Sequence, residues 1–351
     1  MDLQTSTHRM GDKKTIWYVV LFLLIAAAGL LYVKWYPYVL KSLAAASTHS
    51  VGDSILGDMQ GTPSWDTALS YAATYFNAVW KAAVLGILLG SLIQVLLPAN
   101  WLLRVLGKTS FGSTAAAGLA SIPGMMCSCC AAPMAVGLRK KKVSAGAALA
   151  FWIGNPAINP AVLVFMTFVL SWKFTLLRLI FGVILTFGVS YLANRFVKDP
   201  EPVDMDQLIS ETEEKEKAPF LTRWIKSIGT MLLYIVPAYV LSVLLLGAAR
   251  IWLFPHVSDA AANSILTIVG FAIAGMLFVI PTAAEIPIIQ SMMAAGLGGG
   301  PAAALLLTLP SISLPSLLMV SRSFPAKVLV FTAGSVVVLG ILCGLAGMLI
   351  L

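Results

Sequence analysis

Residues 123–133 are Pro-Gly-Met-Met-Cys-Ser-Cys-Cys-Ala-Ala-Pro, and residues 155–160 are Asn-Pro-Ala-Ile-Asn-Pro. Both stretches lie in otherwise apolar sequence. A proline inside such a segment interrupts a helix, because it removes a backbone hydrogen bond and clashes with the preceding turn. Three of the four cysteines fall in the first stretch. Broken helices that carry thiols and amides inside apolar sequence indicate that the functional site is located here.

A second region repeats this pattern further along the chain. Residues 280–287 are Ile-Pro-Thr-Ala-Ala-Glu-Ile-Pro, and residues 309–315 are Leu-Pro-Ser-Ile-Ser-Leu-Pro. Three pairs of landmarks are each 154 residues apart: Pro133 and Pro287, Gly146 and Gly300, and Pro156 and Pro310. Because a fixed offset is the signature of an internal repeat, we predict two structural repeats.

The composition is that of an integral membrane protein. Of the 351 residues, 59% are hydrophobic and 11% are charged, against roughly 45–50% and 25% in soluble domains. A bilayer span needs about 20 apolar residues, and seven segments qualify: 17–34, 73–97, 143–170, 173–193, 225–248, 301–320 and 328–351. The net charge of +8 is spread over the ends of these segments, so the predicted partner is the lipid bilayer and not a nucleic acid.

Two further apolar regions, residues 110–138 and 263–296, are interrupted near the middle by proline, which predicts two re-entrant hairpins of half-helices. Irregular backbone at membrane depth is tolerated only where protein buries it or where it lines a wet cavity. With this arrangement seventeen of the 23 Lys and Arg residues lie on one side, and six lie outside or near the outer face: Lys34, Lys41, Lys81, Lys173, Arg178 and Arg250. Trp35, Trp172 and Trp252 are predicted to mark the outer boundary as part of an aromatic belt. The positive-inside rule then places the N-terminus in the cytoplasm, in a bacterial inner membrane.

The two hairpins open to opposite sides, as in transporters built from inverted repeats. We therefore predict an all-α polytopic bundle with two inverted repeats, each containing a re-entrant hairpin and a proline-broken helix. Its parts are an N-terminal helix with an external segment (1–68), a first repeat (69–194), a cytoplasmic linker (195–222) and a second repeat (223–351). A charge run from Glu211 to Lys217 favours a solvated linker. Whether the protein forms a homo-oligomer stays open.

Glu285 is the one acidic residue, of fifteen, that lies inside an apolar segment. A carboxylate at bilayer depth costs about 2.5–3.5 kcal/mol on insertion scales, so such groups usually serve protons, ions or substrates. We predict that Glu285 couples transport to protons. Two structural alternatives stay open: a protonated carboxyl bonded to the freed backbone of the break, or a solvated carboxylate near the outer surface.

The thiols of Cys127, Cys129 and Cys130 are soft ligands, suited to thiophilic ions such as Cu(I), Zn or trivalent arsenic, although buried cysteine also serves simply as a packing residue. Cys343 is predicted to be a packing residue. The side chains at the breaks can bind a solute or replace lost backbone hydrogen bonds; they are Asn155, Asn159, Ser311 and Ser313. No resident metal or cofactor is predicted.

Four motifs resemble those of the ArsP/YraQ-type bacterial permeases, a family that includes organoarsenical efflux permeases: Gly124-Met-Met-Cys-Ser-Cys-Cys-Ala-Ala-Pro133, Gly154-Asn-Pro-Ala-Ile-Asn-Pro160, Ile280-Pro-Thr-Ala-Ala-Glu-Ile-Pro287 and Leu309-Pro-Ser-Ile-Ser-Leu-Pro315. The resemblance covers nearly the whole chain. It implies a polytopic permease rather than an enzyme, an export direction, and a trivalent arsenical as one cargo. The three clustered cysteines outnumber those usual at this place in the arsenical exporters, which leaves the cargo open.

Other functions fit parts of the pattern. The spacing of Cys127 and Cys130 permits a redox pair, and therefore a membrane thiol-disulfide oxidoreductase. The same sulfurs suit a Cu(I) transporter. Asn155-Pro156-Ala157 is similar to the water-channel signature, but the second repeat has Leu309-Pro310-Ser311, so the paired asparagines of a passive channel are missing.

Overall fold

The computed structural model describes residues 3–57, 64–197, 219–255 and 262–351, and these residues form helices and connecting turns with no strand. The helices are α1 (Leu3–Leu30), α2 (Tyr36–Thr48), α3 (Trp65–Val95), α4 (Ala99–Leu106), α5 (Phe111–Ser121), α6 (Ser128–Lys140), α7 (Ala145–Ala157), α8 (Pro160–Val169), α9 (Trp172–Val183), α10 (Ser190–Ala193), α11 (Phe220–Leu253), α12 (Ile265–Leu277), α13 (Glu285–Ala294), α14 (Gly299–Ser311), α15 (Leu314–Val320) and α16 (Ala326–Ile350). π-Helical turns join α1 to α2 and α9 to α10.

Seven helical segments of the described chain are long and apolar enough to cross a membrane: Ile16–Thr48, Trp65–Val95, Ala145–Val169, Trp172–Phe196, Phe220–Leu253, Gly299–Val320 and Ala326–Ile350. They correspond to the seven predicted spans and confirm the all-helical, multi-span class. Many large apolar side chains on their outer faces are exposed, for example Leu24, Leu233, Leu245 and Val330. Such a surface suits contact with lipid.

The first span differs from the prediction. It was expected to end at residue 34, but the helix passes through the π-helical turn Leu31–Trp35 and continues to Thr48. Lys34 and Trp35 therefore lie inside the helix and not at its outer end. Trp35 was predicted to belong to an outer aromatic belt, yet its indole N–H donates to the Pro123 carbonyl, 2.8 Å away.

The helices repeat along the chain with the offset found for the landmarks. Helices α7 and α14 span 145–157 and 299–311, so that both their starts and their ends are 154 residues apart. The same offset relates the start of α5 at 111 to that of α12 at 265. It also relates the spans Trp172–Phe196 and Ala326–Ile350. The internal repetition thus extends to the helices themselves, while the inversion of one half relative to the other stays a prediction.

Each predicted hairpin consists of two short helices with a non-helical break between them. Helices α5 and α6 have 11 and 13 residues, and α12 and α13 have 13 and 10. At about 1.5 Å per residue none of them reaches across a hydrocarbon core of about 30 Å. Met125 in the first break and Ala283 in the second have positive φ angles of 49° and 72°, which lets the chain turn sharply. Their re-entrant path in a membrane stays a prediction.

Helices of the two halves pack against each other in a shared core. Helix α5 packs against α7, and its counterpart α12 packs against α14. Helix α6 contacts α15 of the other half, and α13 contacts α8. The broken helices α7 and α14 contact each other between these pairs. The breaks of both halves are therefore brought towards one region inside the protein.

Residues 198–218 lie outside the described part of the chain. They include most of the predicted cytoplasmic linker 195–222 and its charge run from Glu211 to Lys217. The repeats themselves, by contrast, are described almost throughout.

Candidate functional site

The three clustered cysteines are buried at the beginning of α6. Cys127 is the N-cap residue of this helix, and Cys129 and Cys130 belong to its first turn. Residues three apart lie on the same side of a helical turn, and accordingly the sulfurs of Cys127 and Cys130 are 2.9 Å apart. The first turn of a helix has free N–H groups and a positive partial charge, which favours a thiolate over a thiol.

Residues of the second half reach this sulfur cluster. The Sγ of Cys129 lies 3.4 Å from the Oγ of Ser313, which precedes α15. Thr282, in the break between α12 and α13, interacts with the sulfur of Cys127. Cys129 of the first half and Ser313 of the second half are thus in contact. The cysteines lie where the broken segments of the two halves meet.

Lys34 is a member of this cluster that the sequence analysis assigned to the outer surface. Its side chain is only 5% exposed. The ammonium donates to the hydroxyl of Tyr38 at 3.0 Å and to Thr282 Oγ1 at 3.1 Å, and it interacts electrostatically with Cys127 and Cys130. The available signal was the position of a lysine in a segment that stays apolar beyond it, from Trp35 to Leu40.

Tyrosines close the cluster from α3 and α11. Tyr75 interacts with Cys129, and its hydroxyl lies 2.6 Å from that of Tyr239. The hydroxyl of Tyr71 donates to the carbonyl of Val279, in the second break. Buried tyrosines usually find such partners. The sequence contained no pattern that distinguished these three from other tyrosines.

Glu285 forms a buried ion pair with Arg178. The carboxylate oxygen Oε1 is 3.2 Å from the guanidinium of Arg178, and both side chains are 1% exposed. The alternative of a solvated carboxylate near the outer surface is therefore wrong. Arg178, which was predicted to lie outside or near the outer face, is buried inside the described core. An arginine within the apolar span 173–193 was the signal, since such residues usually pair with another group at depth.

Arg178 also binds the interrupted backbone of both broken helices. It donates to the carbonyls of Pro156 at 2.7 Å, Ala157 at 3.0 Å and Leu306 at 2.6 Å. Carbonyls at the end of a helix lack helical partners and carry negative partial charge, so a cation is favourable there. Glu285, in turn, begins α13, where a negative charge is favourable. Its second oxygen, Oε2, is buried without a partner.

The asparagines and Ser311 serve mainly local backbone contacts. Asn159 caps α8, because its side-chain oxygen accepts from the N–H groups of Ala161 and Val162 at 3.1 and 3.3 Å. Ser311 donates to Leu307 in its own helix. Asn155 donates to Phe151 at 2.8 Å. The oxygen of Asn155 and the amide nitrogen of Asn159 are buried without partners, so they retain capacity to bind a polar group.

The sulfur cluster does not have the composition of a resident metal centre. In the described ranges no three His, Cys, Asp or Glu side chains come together in a way that could hold a metal ion. Cys343 is buried in α16 beside Leu177, Ala303 and Leu307, away from the cysteines of α6 in sequence. Of the four cysteines, Cys127 and Cys130 are the two whose sulfurs lie next to each other.

Seven candidate spans around a buried, polar junction of two repeated halves define a multi-pass membrane permease. A family described as predicted permeases (ArsP_1) matches residues 66–348, and the chain belongs to this family. The UPF0718 protein YraQ of Escherichia coli K12 is 52% identical over 332 residues, which cover 93% of this chain and 94% of YraQ. The UPF0718 protein MJ0584 of Methanocaldococcus jannaschii is 22% identical, over 77% of this chain and 92% of its own length. No solved structure matches this chain.

Proposed function

We propose that this permease exports a small thiophilic solute, such as a trivalent inorganic or organic arsenical, and that the solute binds at Cys127 and Cys130. The observation that carries the proposal is the position of this sulfur pair at the junction of the two halves. Cys129, which lies between them in the chain, is 3.4 Å from Ser313 of the second half, and Thr282 of the second half interacts with Cys127. A site between two halves is accessible from alternate sides when one half moves against the other.

The chemistry of the paired sulfurs supports this class of cargo. Thiolates are soft ligands and prefer soft acceptors. A trivalent arsenical that carries two hydroxyl groups exchanges each for one sulfur. Each hydroxyl leaves as water, with the hydrogen of the thiol that replaces it or with a proton from solvent when that sulfur is already a thiolate. The pair of sulfurs 2.9 Å apart can supply both ligands from a single helical turn. The buried free oxygen of Asn155 lies against Gly124, three residues before Cys127 in the chain.

Inverted repeats are the second part of the proposal. The contacts of α6 with α15 and of α13 with α8 are reciprocal between the halves, as expected if a pseudo-two-fold axis relates them. Discontinuous helices that meet near the bilayer midplane form the substrate sites of many secondary transporters. We place the N-terminus in the cytoplasm, on the strength of the charge asymmetry; protease digestion of the N-terminus in right-side-out but not in inside-out vesicles would contradict this orientation.

Proton coupling is assigned to Glu285. When its carboxylate takes up a proton, it no longer neutralises Arg178, which holds the ends of α7 and the middle of α14. A change of charge at this position therefore alters a contact between the halves. Buried ionisable groups of this kind often form the proton relays of transporters.

The test is uptake of a trivalent methylarsenical into inside-out vesicles under an imposed proton gradient. We expect Cys127→Ser and Cys130→Ser to reduce uptake at least about tenfold, equivalent to about 1.4 kcal/mol, while the matched variant Cys343→Ser retains it. Glu285→Gln should abolish the response to the gradient. Full uptake by both cysteine variants would overturn the binding site, and gradient-driven uptake by Glu285→Gln would overturn the coupling role.

The 2.9 Å separation of Cys127 and Cys130 favours one alternative, a membrane thiol-disulfide oxidoreductase. Such an enzyme needs an external dithiol or quinone to exchange electrons. Alkylation of free thiols before and after incubation with oxidised and reduced quinone would detect a reversible disulfide. A Cu(I) transporter is tested in the same vesicles, with Cu(I) in place of the arsenical. Uptake of Cu(I) but not of the arsenical would mean that the cargo is Cu(I), bound at the same proposed site.

A further inference from the structure

Lys34 belongs to a helix that lies outside both repeats. The family match begins at residue 66, and the repeated helices begin with α3 at Trp65. The π-helical turn Leu31–Trp35 nevertheless places Lys34 deep in the 33-residue span Ile16–Thr48. Short π-helical turns within α-helices frequently occur at functional sites. The N-terminal helix therefore contributes a side chain to the junction of the two halves.

The contacts of Lys34 form a short chain that ends at a sulfur. An ammonium group only donates hydrogen bonds, so Thr282 Oγ1 must accept from Lys34. The hydroxyl hydrogen of Thr282 is then free to point towards the sulfur of Cys127, with which Thr282 interacts. A sulfur accepts such a hydrogen best as a thiolate. The proton shared between the two sulfurs, 2.9 Å apart, is then the one carried by Cys130.

Charge balance leads to the same arrangement. Neither hydrogen-bond partner of Lys34, Tyr38 or Thr282, is an acid, and the carboxylate of Glu285 is bonded to Arg178. A buried cation without an anion is costly. The other ionisable groups near the sulfurs are Tyr75 on α3, Tyr239 on α11 and the thiols of α6. Of all these groups, the thiols have the lowest intrinsic pKa.

We propose that Lys34 is the counter-ion of a thiolate at Cys127, and that the N-terminal helix thereby supplies a positioning residue of the solute site. The proton of Cys127 leaves to solvent, Lys34 keeps its own charge, and Thr282 transmits the interaction from the second half. The site is then ready to bind a thiophilic electrophile without first losing a proton from Cys127. This inference deepens the proposed function, because it concerns the same sulfurs.

The test measures thiolate directly and requires no transport. In purified full-length protein at neutral pH, the ultraviolet absorbance of thiolate is recorded before and after acidification, and the same difference in Cys127→Ser is subtracted. We expect a Cys127-dependent signal in the unsubstituted protein, a loss of at least about tenfold in Lys34→Met, and retention in Lys34→Arg. The matched control Lys41→Met, at an exposed position of the same helix, should keep the signal.

Thr282→Val provides a second variant that leaves Lys34 in place and therefore remains informative if Lys34→Met fails to fold. Loss of one hydrogen bond should reduce the thiolate signal about threefold. An absent signal in the unsubstituted protein, or an unchanged signal in Lys34→Met or Thr282→Val, would overturn the role of Lys34. A normal thiolate signal together with arsenical uptake that does not depend on Cys127 would instead overturn the proposed function and leave the counter-ion intact.

Discussion

Lys34, Arg178 and Glu285 are among the charged side chains that the described core buries, and the two cations are stabilised in different ways. Arg178 pairs with Glu285 and donates hydrogen bonds to three backbone carbonyls. Lys34 has only neutral hydrogen-bond partners and lies beside the thiols of α6. A buried charge is tolerated when it is paired and fully hydrogen-bonded. The ion pair therefore stabilises the geometry of the breaks, while the charge of Lys34 is not neutralised by a carboxylate.

At the scale of residues, Glu285→Leu should destabilise the protein by about 3–5 kcal/mol, because Arg178 then remains buried without an anion. Glu285→Gln should cost less, since its amide oxygen still accepts from Arg178. The measurement is the free energy of unfolding in detergent micelles. Gln290→Leu, at an exposed position of the same helix, should stay within about 0.5 kcal/mol. An unfolding curve of Glu285→Leu equal to that of the unsubstituted protein would show that the pair contributes nothing to stability.

Helix α3 approaches α6 closely at two glycines four residues apart, Gly86 and Gly90. A Cβ atom at Gly86 would lie 2.1 Å from the carbonyl oxygen of Cys130, and one at Gly90 would lie 2.5 Å from that of Pro133. Small residues with this spacing let helices pack closely in membranes. The position of α3 therefore sets the position of the first turn of α6, where the cysteines are located.

At the scale of elements, Gly86→Ala should push α6 away from α3 and cost about 1–3 kcal/mol of stability, the usual range for overpacking. Uptake of the arsenical should fall together with stability, because Cys129 and Cys130 move with the backbone. Unfolding in micelles and vesicle uptake are the two measurements. For Gly229→Ala in α11, where nothing lies within 4 Å of the added atom, we expect a gain of about 0.5–1 kcal/mol. Equal stability of the two variants would contradict the close contact.

The whole molecule consists of two repeated halves joined at their breaks, with an additional N-terminal helix packed against the junction. Cys129 and Ser313 make one of the direct contacts between the halves, at 3.4 Å. Lys34 and Thr282 connect the N-terminal helix to the second half. Because these contacts are made by single side chains, small movements of one half against the other can break them. This arrangement is compatible with alternating access.

At the scale of the molecule, Ser313→Cys should form a disulfide with Cys129 on mild oxidation, since side-chain atoms 3.4 Å apart need only a small shift to reach the S–S bond length of about 2.05 Å. The background variant lacks the other cysteines, and a protease site is inserted within residues 198–218. After cleavage, we expect the two halves to migrate together on a gel without reductant and separately with it.

Ser321→Cys, at an exposed position after α15, is the matched control for this cross-link and should leave the halves separable under both conditions. Cross-linking by Ser321→Cys, or none by Ser313→Cys, would mean that α6 and α15 are not neighbours in the membrane. That outcome would also remove the contact on which the proposed site depends.

The amino-acid sequence alone determined the elements that depend on local pattern. A run of about 20 apolar residues must span or be buried, because its side chains are unfavourable in water, and in lipid it forms a helix that satisfies its own backbone hydrogen bonds. The seven spans follow from such runs. The prolines that break the helices and the offset of 154 residues are visible directly in the sequence. The embedded position of Glu285 follows too, since a lone carboxylate stands out in apolar sequence. The end of the first helix was misplaced because a lysine normally marks a membrane boundary.

The tertiary structure alone decided which of these residues meet. Arg178 and Glu285 are 107 residues apart in the chain, and Lys34 and Thr282 are 248 apart. Hydropathy averages over a window, so a single cation in an apolar segment is assigned to the nearest surface. Its partner becomes visible only when distant helices pack. Arg178 thus contacts Glu285 and three backbone carbonyls, and Lys34 contacts Tyr38 and Thr282, because the folded core excludes water and protein groups must replace it around the two charges.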